Sequence, residues 1–571
     1  MGFGKMNALK QASSLLKEEK FLEALEVIKP LDRTTFSSKT NYFEFLLLKA
    51  KILNKLERFD KSLVLTEQVI YFTRKKSFPL MAVRAYLNSS EIYWKMGKYE
   101  KGIEEISKGD EIIKNLEDQK THAIKKQKAS LYFLKARLYR SQGELDLALN
   151  FLHRCLKIQK EIDDTSALGL TLNGLGIIYW YKGELDKALS YFNQGLAYLD
   201  EEVNKGKIAY VYVNIGSIYG LKGELNDALK YFEKGLKLCQ EVGDTQGEAS
   251  TLHNIGEIFE LKGELELALE YLEKSLVLKK QLGNKRYIAS TLHTIGGIQK
   301  KKGNLNQAFN QVQKSLEMYE HIGNNVDTSE TLLSLIRITL EMANHERAKK
   351  LLVQLGKLMK NDENKIINLR YRLGTALFLK NTKKSDGTLS FLSLYELIKK
   401  VVESQQLLRE IVHEEVIDHR LTTHAIFNLC ELLILELKTL GTEEILQEIT
   451  KLTQRLLKIG QEQSSYSLLT KTYLLQGNLA LLQTDVEQAR ELLHNAEKIA
   501  EEKGFDRLAV VIVNQLKRLE GTVPEWLLEE NVSLLDRLAE VKLEGLIVSL
   551  RQDRVELYPE GFTVEQPTKD Q

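Results

Sequence analysis

Few residues in this chain are typed and spaced for chemistry. His413-Glu414-Glu415 and His419 place two histidines six positions apart, whereas helical zinc ligands sit at i and i+4. His253 and His293 stand 40 positions apart, at equivalent points of a recurring segment. Stacked helices lie about 10 Å apart, too far for both rings to hold one ion. Cys155, Cys239 and Cys430 form no Cys-x-x-Cys pair and read as buried thiols in a reducing compartment. Neither a Gly-x-x-x-x-Gly-Lys-Ser/Thr phosphate loop nor a His-Glu-x-x-His zinc motif occurs. The expectation is a non-enzyme with no cofactor and no metal.

The glycines belong to a different pattern. Gly143, Gly183, Gly223, Gly263 and Gly303 recur every 40 residues, each opening the phrase Gly-Glu/Asn-Leu-x-x-Ala-Leu/Phe. Seven positions earlier stand Ala136, Gly176, Gly216, Gly256 and Gly296; four earlier, Tyr139, Tyr179, Tyr219, Phe259 and Gln299. Nine later come Leu152, Phe192, Phe232, Leu272 and Val312, and twelve later Cys155, Gly195, Gly235, Ser275 and Ser315. Apolar residues on either side of each glycine fall at helical spacing. Each unit is therefore two antiparallel helices with glycine at the turn, where positive φ is needed. Small residues let the two backbones approach. One hairpin cannot bury its apolar faces alone, so the units must stack.

Leu175-Gly176-x-x-Tyr179, the Gly-Glu-Leu turn and Ala188-Leu189-x-Tyr191-Phe192 resemble the tetratricopeptide repeat, in its longer form of kinesin light chains and related adaptors. The resemblance covers five units and implies an all-α fold: a right-handed superhelical solenoid of antiparallel helix pairs. It also implies that first helices line a concave groove, with the positions ten and six before each turn glycine looking into it. Those positions are Phe133 and Arg137, Asn173 and Ile177, Val213 and Ser217, His253 and Glu257, His293 and Gly297. Tyr210, Trp180, Trp94 and Glu260 are neighbouring candidates. On this reading Asn173, His253 and His293 hydrogen-bond a peptide backbone, and Tyr210 and Ile177 give apolar contact. Only Arg137 is basic among the ten positions, which disfavours a clamp for an acidic C-terminus.

The chain is organised around this array. Residues 1–128 carry degenerate copies, with Phe59-Asp60 and Tyr99-Glu100 in register and about six residues inserted near Asp118 to Lys128. Residues 129–342 hold the regular repeats, and 343–523 a degenerate helical continuation in which Leu373-Gly374 and Gly477 keep the small position. In 524–571, Trp526 to Leu543 reads as a closing helix. Leu546–Leu550 and Val555–Tyr558 read as a short β-hairpin, followed by a disordered tail. Lys and Arg number 81 against 79 Asp and Glu, which gives no global pull toward nucleic acid or an acidic membrane. No signal-peptide-like stretch and no long apolar run is present, so a cytoplasmic protein is expected, without membrane insertion.

Residues that vary on a constant frame are those that would choose a ligand. The expected function is a non-enzymatic interaction scaffold or adaptor that takes a peptide or protein segment in the groove. The alternative is a peptide- or ligand-sensing regulatory array acting on a separate effector. Glu257 and Glu260 argue against RNA in the groove.

Overall fold

A computed structural model describes residues 2–17, 21–36, 38–56, 58–73, 78–116, 121–202, 204–362, 364–381, 391–414, 419–463, 465–520 and 532–552. Among them are twenty-seven α-helices, one short 3-10 turn and no strand. In chain order the helices are α1 (Gly2–Lys17), α2 (Phe21–Ile28), α3 (Lys39–Lys55), α4 (Phe59–Thr73), α5 (Pro79–Lys95), α6 (Tyr99–Lys114), α7 (His122–Ser141), α8 (Leu145–Glu161) and α9 (Thr165–Tyr181). There follow α10 (Leu185–Ala197), α11 (Lys205–Lys222), α12 (Leu225–Val242), α13 (Thr245–Lys262), α14 (Leu265–Leu282), α15 (Lys285–Lys301), α16 (Leu305–Ile322), α17 (Asn325–Glu341) and α18 (His345–Asn361). The last are α19 (Lys365–Lys380), α20 (Phe391–His413), α21 (His419–Leu440), α22 (Glu443–Glu462), α23 (Tyr466–Leu482), α24 (Val486–Lys503), α25 (Asp506–Glu520), α26 (Leu534–Val541) and α27 (Leu543–Gln552). They follow one another in tandem pairs, as a solenoid requires. The chain divides into two compact units: Met1–Ile218 with Glu233–Gly247, and Tyr219–Phe232 with Glu248–Gln571.

The period is written in offsets between contacts. All five turn glycines take positive φ, for example 82° at Gly263, a conformation that costs other L-residues energy. One period after Gly303 the turn residue is Ala343, which holds the same backbone at φ 56°. At the close approach between paired helices, a Cβ on Gly176 would lie 2.5 Å from the Phe192 ring and 3.1 Å from the Ala188 carbonyl. The same arrangement recurs far along the chain, where a Cβ on Gly477 would meet Leu493 at 3.0 Å and the Ala489 carbonyl at 3.4 Å.

The second small position faces the carbonyl 26 residues earlier. Ser275 Oγ donates to Ala249 O at 2.6 Å, Ser315 Oγ to Ala289 O at 2.8 Å, and Cys155 Sγ to Ala129 O at 3.2 Å. Where the residue is Gly195 or Gly235, the carbonyls of Gly169 and Ala209 occupy the space a side chain would need. A small donor or no side chain serves equally, which explains why serine, cysteine and glycine interchange there.

Rings four before the turn stack on rings eight after it. The pairs are Tyr139–Phe151, Tyr179–Tyr191, Tyr219–Tyr231 and Phe259–Tyr271, with centroids 5.2 to 5.5 Å apart. In the fifth copy both rings are replaced, by Gln299 and Gln311. The links after the third, fourth and fifth copies use a left-handed glycine followed by a side-chain cap, and after the first copy Asp163 takes that backbone at φ 53° before the Asp164 cap. At Gly283-Asn284, φ is 72° at the glycine and Asn284 accepts from the Tyr287 amide.

The C-terminal expectation needs correcting. Leu546–Leu550 are helical, within α27. Leu543, Leu546, Ile547 and Leu550 are all buried, at the i, i+3, i+4, i+7 spacing of a helix face packed on α21 and α23. The β-branched Ile547-Val548 pair suggests strand, but the helical period of the buried set overrides it. Of the expected closing helix, Leu534–Val541 is helical and followed by Lys542 at φ 51°. Trp526, Val555–Tyr558 and the tail lie outside the described residues, as do most of the polar turn after Asn381 and part of the insertion near Asp118.

Candidate functional site

In the first unit, α1, α3, α5, α7 and α9 line a cavity of about 710 Å³. The 40-residue register sorts its wall into columns. Ten before the turn come Leu47, Leu87 and Phe133; six before come Lys51, Glu91 and Arg137; thirteen before come Glu44, Arg84, Ser130 and Leu170. Lys51 and Glu91 belong to the degenerate N-terminal copies, so reading the groove from the five regular copies alone misses them. Carrying the register back from Gly97 finds both.

Arg137 faces this cavity with its guanidinium 3.9 Å above the Trp94 ring, a cation–π contact. Burial lowers its proton affinity below that of a free arginine, although Glu91 favours the charged form. Trp94 in turn donates through Nε1 to Ser141 Oγ at 2.8 Å. Asn173 is almost fully buried, and its Oδ1 accepts from Asn214 Nδ2 at 3.0 Å. Ile177 is likewise buried, at 7 % exposure. Ser217 is half-buried and donates back to Val213 O. Tyr210 is 53 % exposed, at the column that Arg84, Ser130 and Leu170 occupy in the cavity.

The second unit holds the remaining expected residues. His253 is buried, with Nδ1 3.3 Å from Thr291 Oγ1 and Nε2 3.3 Å from Glu257 Oε1. The Glu257 side chain is half-exposed. Burial alone would raise its carboxyl, but the His253 contact and the Lys279 and Arg420 charges hold it below the ordinary value. His293 Nε2 meets Ser334 Oγ at 2.8 Å, and burial lowers the imidazole's proton affinity. Glu260 pairs with Lys301 at 3.1 Å. Thus His253 and Glu257 come together, while His293 is engaged one hairpin further on.

Two of these contacts follow one rule. Asn173 with Asn214, and His293 with Ser334, both link a residue ten before its turn to one nine before the next, 41 positions on. Lys279 was not among the expected residues. Its amine is buried and donates to Thr291 Oγ1 at 2.8 Å, extending the polar chain from Glu257 and His253. Burial pulls it down to about 8, against the opposing pull of Glu257. Its column, sixteen after the turn, is buried throughout: Gln159, Leu199, Cys239, Lys279 and Tyr319. Among the described residues no group of three His, Cys, Asp or Glu side chains is placed to hold a metal ion. No described helix is long and apolar enough to cross a membrane.

A tetratricopeptide repeat model matches residues 127–201 and 207–281, and a second one matches residues 83–115. Both describe the repeat in general and do not single out the kinesin light-chain form. No curated protein matches the chain. Among solved structures, the apo form of the quorum sensor NprR from B. thuringiensis is 17% identical, with 62% of this chain and 98% of that one covered and a TM-score of 0.44. A Rap protein complexed with competence and sporulation factor is 13% identical, covering 78% and 99%, at a TM-score of 0.39. A signal-transduction ATPase with a tetratricopeptide repeat sensor, from Pyrococcus horikoshii, is 15% identical, covering 69% and 64%, at 0.42. These likenesses are low and do not bear on function. The family models match at the 40-residue register and paired helices already described, and the chain is a tetratricopeptide repeat protein.

Proposed function

We propose that this chain is a non-enzymatic interaction scaffold that takes an extended peptide or protein segment along its first-helix wall. The observation that carries this reading is the contrast between frame and wall. The positions of closest approach between the paired helices are restricted to glycine, alanine, serine and cysteine, at constant offsets. Positions on the cavity wall change from copy to copy in charge and size, from Lys51 to Glu91 to Arg137 and from Leu47 to Phe133. A regular frame with irregular wall residues offers one distinct contact per hairpin along an extended partner.

Tests must spare the frame. Asn173 and His253 are buried and bonded to the next hairpin, so replacing them would disturb stacking as well as any ligand. Tyr210 and Glu257 are the better probes, because both reach solvent. Peptides selected from a displayed random library on the intact chain should lose affinity in Tyr210→Ala with the unfolding midpoint unchanged, and in Glu257→Gln, which keeps an acceptor beside His253. Selected peptides that bind both variants as tightly as the parent would place the site elsewhere.

A further inference from the structure

The three charges six before the turn alternate in sign, and they are open. Lys51, Glu91 and Arg137 line the same cavity on successive first helices. Glu91 lies near enough to both cations to favour their charged forms. Yet among the described residues none of the three has an ion-pair partner. The contrast with the neighbouring column is informative. Thirteen before the turn, Arg84 and Glu44 sit one period apart and close to 2.5 Å; Lys126 and Asp164 elsewhere on the wall close to 3.5 Å. Apart from Lys10, which also lines the cavity without an ion pair among the described residues, the wall neutralises its other charges internally and leaves this column facing the cavity. Arg137 is held in place by Trp94 rather than by a carboxylate, so its donors stay free for an incoming anion.

We propose that the cavity of the first unit recognises an extended peptide whose charges alternate acidic, basic, acidic, opposite Lys51, Glu91 and Arg137. This rests on the peptide-binding reading above and adds the class of peptide. Neighbouring first helices lie about 10 Å apart, and an extended chain rises about 3.3 Å per residue. Charges on the ligand should thus recur about every third residue. The pattern reads the same in both directions, so it holds whichever way the segment runs. The Leu47, Leu87 and Phe133 column beside it would take apolar side chains between the charges.

The test uses the full chain and arrays of seven-residue peptides, acetylated and amidated so that no terminal carboxylate contributes. One set fixes Glu at the first and last positions and Lys at the centre. A second reverses the three signs, a third leaves all positions random, and a fourth repeats the first with a free C-terminus. The first set should bind about tenfold or more tightly than the second, with the fourth no tighter than the first. The Lys51→Glu, Glu91→Lys, Arg137→Glu variant should reverse that preference. Should this triple variant unfold, Glu91→Gln alone should abolish selection for the central Lys. If the random set binds but the parent shows no sign preference, or the variants keep it, the charge pattern is refuted and the scaffold reading stands. A gain confined to the free C-terminus would assign the wall to a terminal carboxylate and refute the pattern too. If no set binds, both readings fall.

Discussion

Lys279 gives the sharpest test of the packing. The residue is 4 % exposed, and burial draws its proton affinity from the ordinary 10.5 down to about 8. Between those pH values the unfolded chain holds a proton that the folded chain has lost, so folding stability rises with pH across that window. Below about pH 8 both states are protonated and the full penalty of burying the ammonium applies. One pH unit of affinity corresponds to about 1.4 kcal/mol, so the penalty is about 3 kcal/mol. Replacing the lysine with the similarly long Lys279→Met removes that penalty and also the bond to Thr291, worth about 1 kcal/mol. Thr291 keeps its bond to Tyr287 O, so no hydroxyl is stranded. The expected net gain at about pH 7 is about 1 to 2 kcal/mol. Urea midpoints by circular dichroism for both chains at about pH 7 and about pH 9.5 would read it. The parent should recover about 2 kcal/mol relative to the variant at the higher pH. Other groups titrate in both chains alike, so the difference isolates Lys279. A variant less stable at pH 7, or a difference that does not change with pH, would show that the ammonium is not desolvated in the folded chain.

Further outcomes follow from the frame. Gly176→Ala should destabilise by about 1 to 3 kcal/mol, because its Cβ would press on the Phe192 ring. Adding Phe192→Leu should recover part of that in a thermal melt, since the first copy pairs Ala136 with Leu152. Ala343→Gly should raise the melting midpoint by relieving about 1 kcal/mol of left-handed strain at φ 56°. Cys155, whose thiol burial pushes up to about 11, and Cys430, also raised by burial, should react with a thiol reagent at pH 8 only when urea opens the chain. Labelling of either at the rate of a free thiol would contradict their burial.

The frame was legible because its constraints are local. A turn at positive φ calls for glycine, a close backbone approach calls for a small residue, and both recur at Gly143 through Gly303 without knowledge of any partner. The wall was less legible, because what surrounds a first-helix residue is decided one hairpin away. Asn173 looks like a free groove amide until Asn214, 41 positions on, is seen to donate to it. His253 and Ile177 are buried in the same way, whereas Tyr210, a residue outside the ten groove positions, is exposed. Lys279 sits in a column that is leucine in one copy and tyrosine in another. Nothing local to it announces a buried amine. At the C-terminus two β-branched residues outweighed the helical spacing of Leu543, Leu546, Ile547 and Leu550, since eight residues hold little periodic signal.

The constant offsets between contacts have a consequence for how such a chain can change length. Ser275 reaches the carbonyl 26 positions back, and His293 reaches the hydroxyl 41 positions on. Both distances are counted in residues of one repeating ruler rather than in particular partners. Duplicating or deleting one whole 40-residue segment returns an equivalent carbonyl, hydroxyl or ring to each vacated place. Adding or removing any other number within a helix pair misaligns the pairings that span the change, unless a link between hairpins absorbs it, as with the six extra residues between Gly97 and Gly143. Growth by unequal crossing-over is therefore quantised in this molecule: whole hairpins are cheap to gain or lose, and fractions of one are not.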